Sequence, residues 1–106
     1  MMDFALNEHQ QDVQRRARAF AASQVAPVAS ALDRAGSIPP DIIAGAADVG
    51  LLGFEQDFVA YVAGLIEISK EWAALGAVIA VHNWLVCYHI SRYGDAAQKD
   101  AYLSLL

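Results

Sequence analysis

The stretch Trp72–Ile90, WAALGAVIAVHNWLVCYHI, holds nineteen residues without a single Asp, Glu, Lys or Arg. Nineteen uncharged residues approach the length that a helix needs to span a membrane. His82, Asn83 and His89 interrupt the apolar character, however, and placing these side chains in lipid is costly. We therefore expect no membrane span but a central helix of a soluble protein, buried on most sides by other helices.

The residues outside this stretch predict further helices. Asn7 with Gln10, and Asp95 with Gln98, match the capping box that starts a helix, and Asp57 is a third candidate cap. No run of alternating apolar and polar residues indicates a β-strand. The predicted class is therefore all-α, an antiparallel helical bundle of about five helices. The predicted helices cover about 8–35, with an end or kink near residue 26, 40–49, 58–72, 77–93 and 96–106.

Apolar residues at helical spacing predict the buried face of each helix, and glycines predict where helices end. We expect Gly50 and Gly94 to end the second and fourth helices, and Gly76 to separate the third from the fourth. The faces predicted to be buried are Val13, Ala17, Phe20, Gln24 and Val28 in the first helix, Ile42, Ile43 and Ala46 in the second, and Phe58, Val62, Leu65, Ser69 and Trp72 in the third.

The composition of the 106 residues limits the classes of protein. Hydrophobic residues make up 57% and charged residues 18%, which excludes a disordered chain. Such a composition indicates apolar surface that something outside this segment covers. The net charge of −5 argues against a nucleic-acid partner. Since the chain has one cysteine and no basic, apolar leader at its start, we expect a reduced, cytoplasmic compartment.

The residues capable of chemistry form no catalytic or metal-binding pattern. Cys87 and His89 are two residues apart and point to different faces of a helix, so Cys87 is interpreted as an inert buried thiol. His82 is seven residues from His89, which is too far for the usual pair of zinc ligands. Glu67 and Glu71 are interpreted as a solvated face. We therefore expect no catalytic, cofactor-binding or metal-binding residue in this segment.

Short motifs along nearly the whole chain nevertheless follow one another in the order of a known enzyme family. Their order, more than any one of them, resembles the N-terminal helical domain of the acyl-CoA dehydrogenases. The motifs are MDFAL followed by NEHQQ over 2–11, VAPVA over 25–29 running into LDRAG over 32–36, Ile38-Pro39 with Ile42-Ile43, VGLLG over 49–53, VHNWLVC over 81–87, and Tyr93-Gly94-Asp95 with Gln98-Lys99 and Tyr102-Leu103.

This resemblance implies that residues 1–106 form a single helical domain, the N-terminal part of a longer flavoenzyme of fatty acid metabolism. In the family a middle β domain and a C-terminal helical domain follow. The family uses FAD to dehydrogenate acyl-CoA thioesters between the α and β carbons, and it passes the electrons to an electron-transferring flavoprotein. The catalytic glutamate and the main FAD contacts belong to the other two domains. The resemblance also implies a homo-oligomer.

The resemblance assigns one role to this domain, a wall of the pocket for the acyl chain. When the family motif is matched on Asn83, the wall residues are Ala77, Val81 and Leu85, spaced four residues apart on one face. All three are apolar, as a substrate-binding wall for a hydrocarbon requires. The same spacing is equally typical of ordinary core packing.

Two positions depart from the family pattern. Between Gly53 and Phe58 the family carries a Pro- and Gly-containing loop of about a dozen residues, whereas four residues remain here, by deletion or by omission. Trp84 stands where the family often has a small Ser, and its ring either narrows the pocket or fills a domain contact. The fold also leaves open an acyl-CoA oxidase or a flavin monooxygenase. A non-enzymatic alternative is a helical interaction module that self-associates through its apolar face.

Overall fold

In the computed structural model, which describes residues 3–53 and 57–106, the described residues form helices and no β-strand. The predicted all-α class and the number of helices are confirmed. Helix α1 covers 8–35 as Glu8–Phe20 and Ala26–Ala35 joined by a π-helical turn, Ala21–Val25; α2 is Pro40–Asp48; α3 is Phe58–Glu71; α4 is Ala73–Tyr93; and α5 is Ala96–Tyr102, followed by a 3₁₀ turn, Leu103–Leu105.

The predicted helix caps are present with full geometry. The side chain of Asn7 accepts a hydrogen bond from the Gln10 N–H at 2.9 Å, and the Gln10 side chain accepts one from the Asn7 N–H at 2.9 Å. Asp95 and Gln98 form the same reciprocal pair at the start of α5. The Asp57 carboxylate accepts from the Ala60 N–H at 3.1 Å and starts α3. These local signals confirm the predicted helix starts.

The π turn in α1 shifts the buried face of this helix. Val13, Ala17 and Phe20 are buried as predicted, but from the end of the turn onward Val25 and Ala29 are buried instead of Gln24 and Val28. A π turn holds one residue more than an α turn, so every later position rotates by one residue. The prediction for Gln24 was wrong for this reason, and Val28 is only partly buried.

The predicted face of α3 was also wrong, except at Trp72, which is buried directly after the helix. Its fully buried residues include Ala60, Tyr61 and Ile68, whereas Phe58 is 58% exposed and the other predicted positions on the helix are half-buried. Small residues decide the face, because they let α1 approach closely. A Cβ atom on Gly64 would lie 2.8 Å from Leu51 Cδ2 and 3.2 Å from the Cγ1 of Val13.

Glu67, predicted to be solvated, is buried on the same face of α3, whereas Glu71 is exposed as predicted. One oxygen of Glu67 accepts a hydrogen bond from Arg18 Nη2 at 3.1 Å, and the other lies 3.0 Å from Lys70 Nζ. The hydrogen bond from Arg18 is the main cause that lowers the pKa of this carboxyl below its ordinary value. The buried charge is therefore fully paired.

The break between α3 and α4 falls at Trp72 and not at Gly76. Trp72 has an extended backbone, with φ −154° and ψ 100°, and its indole N–H donates to the Asp33 carboxylate at 3.1 Å. Gly76 lies inside α4, packed against the Ser69 side chain. An added Cβ at this position would collide with Ser69, so the glycine serves close packing between the two helices and does not end one.

Helix α4 is less buried than predicted. In the described part of the chain it is the one helix long and apolar enough to cross a membrane by length and composition, with a mean hydropathy of 1.5. Only 28% of an apolar 18-residue stretch of this helix is buried inside the fold, so the expectation of burial on most sides was wrong. One face of α4 packs on the core, and the opposite face lies open.

The described residues form a slab of 46 × 41 × 18 Å. Its radius of gyration is 14.7 Å, against about 13 Å for a compact domain of this length. Its accessible surface is 6720 Å², against about 5,800 Å² for a monomer of this mass. The domain therefore exposes more surface than a compact monomer of this mass does.

Candidate functional site

The three predicted wall residues lie together on the open face of α4. Ala77 is exposed, Val81 is 50% exposed and Leu85 is 61% exposed. The core side of the same helix is a separate line of buried residues, which includes Ile79 and Cys87. Ordinary core packing, the other interpretation of the spacing, is therefore excluded for all three.

A second π turn, Val81–Cys87, keeps this face straight. In an α-helix each step of four residues advances about 40° beyond a full turn, so a line of such steps winds around the helix. The wider π turn counteracts this drift. The Tyr88 N–H donates to Asn83 O, five residues earlier, as π geometry requires. Ala77, Val81 and Leu85 thus stay on one side of α4.

A shallow groove of about 350 Å³ runs along the first part of this face, lined by Ala77, Val78, Val81 and His82. The polar exception is His82, whose Nε2 lies 3.0 Å from the main-chain oxygen of Leu106. Because a carbonyl only accepts, Nε2 donates in this contact, and the ring connects α4 with the chain after α5. The remaining lining is hydrocarbon, which suits an apolar ligand or a packing partner.

Asn83 anchors α4 from its buried side. It is 2% exposed, and its side-chain amide donates to Leu51 O at 2.8 Å and accepts from the Gly53 N–H at 3.0 Å. Gly53 has a φ of +103°, which favours glycine. Sequence reasoning used Asn83 as an argument against a membrane span and to align the motif, and it missed this role. A lone amide inside a long apolar stretch was the available signal, since buried polar groups are nearly always paired.

The ring of Trp84 packs against other aromatic rings of this chain. Its ring lies 5.4 Å from that of Phe58 and 5.9 Å from that of Tyr61 on α3, and 5.4 Å from that of Tyr88 on α4. Aromatic pairs at these distances stabilise the packing of the two helices. Burial raises the pKa of the Tyr61 phenol within this cluster. The large ring therefore packs against α3 and does not cover the open face.

The other residues considered for chemistry remain apart. Cys87 is 2% exposed, so its predicted burial is confirmed, and burial raises the pKa of its thiol, which disfavours the reactive thiolate. His89 is exposed, with its Nδ1 at 3.2 Å from Trp84 O. Over 3–53 and 57–106, no three His, Cys, Asp or Glu side chains come together as a metal ion needs. Three of the four residues of the shortened connector, 54–56, lie outside the described residues.

Comparison with known proteins identifies relatives of this fold. The family of acyl-CoA dehydrogenase N-terminal domains matches residues 7–106. The short-chain specific acyl-CoA dehydrogenase of Clostridium acetobutylicum is 27% identical over 96% of this chain and 29% of its own length. The mitochondrial short-chain specific enzyme of Mus musculus is 30% identical over 93% of this chain and 26% of its own. The acryloyl-CoA reductase (NADH) of Anaerotignum propionicum is 29% identical over 99% of this chain and 29% of its own length.

The chain thus spans about three tenths or less of the length of the curated relatives that it matches. The alignments also contain positions that this chain lacks. The alignment with the C. acetobutylicum protein has 111 positions but covers 96% of 106 residues, which leaves about nine positions of that relative without a counterpart. The alignment with the acryloyl-CoA reductase, 114 positions over 99% of this chain, leaves about the same number.

Proposed function

This chain belongs to the family of acyl-CoA dehydrogenase N-terminal domains, and from that membership we propose that it is the first domain of an FAD-dependent acyl-CoA dehydrogenase. The open face of α4, with Ala77, Val81 and Leu85, forms one wall of the acyl pocket. The observation that carries this proposal is the exposure of all three apolar side chains, on a helix whose other side is the core of the domain.

The contribution of this domain is to bind the acyl chain and exclude water. Each methylene group that moves from water onto the apolar face stabilises the complex by about 0.8 kcal/mol. A hydrocarbon held along α4 keeps the α and β carbons of the thioester in a constant place relative to the rest of the enzyme. The wall carries no acid or base, so it positions and shields the substrate while groups outside this chain perform the chemistry.

The cofactor is assigned to the remainder of the parent chain. The described residues offer no glycine-rich phosphate loop and no basic pocket of the kind that holds a dinucleotide. FAD, if bound by the following domains, would supply the acceptor for the hydride of the β carbon, and the resemblance to the family assigns the acceptor of the α proton to a glutamate of the C-terminal domain. The middle and C-terminal domains would also cover the open face of α4, which accounts for the surplus accessible surface.

The proposed substrate is a short or branched acyl-CoA. Several relatives carry short-chain or short/branched-chain specificity in their names. The electrons would pass to an electron-transferring flavoprotein, and the enzyme would be a cytoplasmic homo-oligomer. The two relatives have about nine positions that this chain lacks. We assign these positions to the connector between Gly53 and Phe58, because their number matches the size of the missing loop.

The test is made on the intact gene product. Its mass is measured first, because a mass several times 11.4 kDa is required if this chain is one domain of a longer enzyme. The purified protein is then assayed with butyryl-CoA and an artificial electron acceptor. We expect bound flavin, visible by absorption, and formation of the α,β-unsaturated thioester. A full-length protein without flavin, or with flavin but without dehydrogenation of any acyl-CoA, would refute the proposal.

A second candidate function is an interaction module that self-associates through α4. The surplus surface favours it, because about 900 Å² beyond the expectation for a monomer is comparable to one partner's share of a standard interface. This candidate requires a natural product near 11.4 kDa that sediments as a concentration-dependent oligomer. A well-behaved monomer at high concentration would exclude it.

A further inference from the structure

The π turn Val81–Cys87 lies at the wall itself and contains two of the three wall residues, Val81 and Leu85. Such turns are rare, and they occur frequently at functional sites. A regular α-helix over the same residues would make backbone hydrogen bonds that are equally good or better. The π turn therefore requires interactions outside the helix backbone that favour it.

Asn83 supplies the first of these interactions. It lies inside the turn, and both ends of its amide bind the backbone of the connector after α2, at Leu51 O and at the Gly53 N–H. The connector backbone is itself tied to α2, since the Leu51 N–H donates to Ala46 O at 3.0 Å. Helix α4 cannot rotate about its axis at this point without breaking both bonds of the amide.

His89 supplies a second interaction. Its Nδ1 lies 3.2 Å from Trp84 O, five residues earlier. A carbonyl oxygen only accepts, so Nδ1 carries the hydrogen and donates. In an α-helix the N–H four residues later would pair with this carbonyl. The ring of His89 thus gives a partner to a carbonyl that the π turn displaces.

The register of the turn decides where the wall residues point. Each residue of an α-helix advances by about 100°. If the turn relaxed to an α-helix, the extra residue would be lost from it, and everything after the turn would rotate by about that angle relative to everything before. Ala77 would keep its direction, whereas Leu85, two steps of four residues later, would lie about 80° around the helix from it instead of in line with it.

We propose that Asn83 is a positioning residue for the acyl wall: its amide holds the π turn, and the turn holds Val81 and Leu85 in line with Ala77. The proposal rests on the proposed function of the wall. It assigns the selection of acyl chain length in part to a buried amide that does not touch the substrate.

The test compares full-length enzymes carrying Asn83→Asp, Asn83→Ala or His89→Ala with the wild type. Asp keeps the shape of Asn and the acceptor for Gly53 but loses the donor to Leu51. The measured quantity is the ratio of kcat/KM for butyryl-CoA to kcat/KM for octanoyl-CoA, at equal flavin content. We expect this ratio to change by about tenfold in the Asn83 variants, since one displaced apolar contact changes discrimination by that order. A smaller change in the same direction is expected for His89→Ala, and none for Ser91→Ala, an exposed control on the same helix.

A merely structural role would lower both kcat/KM values by the same factor and leave their ratio unchanged, and this result would overturn the proposal. If Asn83→Ala yields no soluble enzyme, Asn83→Asp and the exposed His89→Ala decide in the same way. If the wild type dehydrogenates neither these two thioesters nor a branched acyl-CoA, the proposed function has failed. The crystal structure of Asn83→Asp then decides the register separately. The Tyr88 N–H bound to Trp84 O, in α geometry, supports the proposal, and a retained π turn overturns it.

Discussion

Glu67 and Arg18 form an ion pair that joins the centre of α3 to α1, with Arg18 Nη2 at 3.1 Å from the carboxylate. The two partners differ in environment, because the side chain of Glu67 is 5% exposed and that of Arg18 is 58% exposed. Removal of the acid leaves two cations that water can solvate, whereas removal of the cations leaves a buried charge. Glu67 is therefore the partner whose charged form needs the ion pair for its stability.

The first prediction concerns the neutral variant Glu67→Gln. It keeps the size of the side chain but replaces charge-assisted hydrogen bonds with weaker ones, so we expect the free energy of unfolding to fall by about 1–3 kcal/mol. The measurement is thermal or denaturant unfolding of the full-length protein. Glu71→Gln, an exposed change on the same helix, should stay within about 0.5 kcal/mol of the wild type. Equal effects of the two variants would contradict the buried pair.

The second prediction concerns pH. Since Arg18 lowers the pKa of the Glu67 carboxyl in the folded state, the stability from this group is fully present above the ordinary glutamate pKa. It is lost as the pH falls through the lowered pKa of the folded state. We expect the stability difference between wild type and Glu67→Gln to be constant near neutral pH and to shrink in acid. Unfolding curves over a pH series measure it, and a difference that grows in acid would have the wrong sign.

The third prediction concerns the contact between α1 and α3 at Gly64. In Gly64→Val the Cβ would lie 2.8 Å from Leu51 Cδ2 and 3.2 Å from Val13 Cγ1, and the two methyl groups need further space. Overpacking of this kind costs about 1–3 kcal/mol. We expect a lowered melting temperature in the full-length protein. Ala47→Val, at an exposed site of α2, is the matched control, and a Gly64→Val protein as stable as this control would disprove the close approach.

Local signals predicted the starts of the helices other than α4, and tertiary packing decided their buried faces. Asn7 with Gln10, and Asp95 with Gln98, need only four consecutive residues of sequence to form a capping box, and both boxes formed. The failure at Gln24 has a different origin. A π turn adds one residue to a helix for the sake of distant contacts, so a regular period applied to the sequence loses the buried face beyond it.

In the candidate site, too, what local sequence carries was predicted and what distant contacts decide was not. The resemblance selected Ala77, Val81 and Leu85, and all three lie on one open face. Periodicity alone did not distinguish this face from a core, because an apolar wall and an apolar core have the same spacing. The lone amide of Asn83 indicated a buried hydrogen bond but not its partners, since these are backbone atoms 30 and 32 residues away in the sequence, which leave no mark on residue types.

The fourth prediction enlarges the wall. Ala77→Leu adds three carbon atoms to an exposed position of α4, so the fold itself should keep its stability. If the acyl chain lies along this face, the added side chain takes the space of the distant methylene groups. We expect kcat/KM for octanoyl-CoA to fall by tenfold or more relative to kcat/KM for butyryl-CoA, since the loss of one or two methylene contacts is worth about 1–3 kcal/mol.

The control for this prediction is Ala101→Leu, the same substitution at an exposed position of α5. It should leave the selectivity between the two thioesters unchanged, because it lies on another helix and outside the line of the wall. A loss of activity toward both substrates in Ala77→Leu alone, without a change in their ratio, would indicate that this face packs against another domain. The acyl chain would then have to bind elsewhere. The two outcomes separate a substrate wall from a domain interface, which have the same exposed apolar residues in the isolated domain.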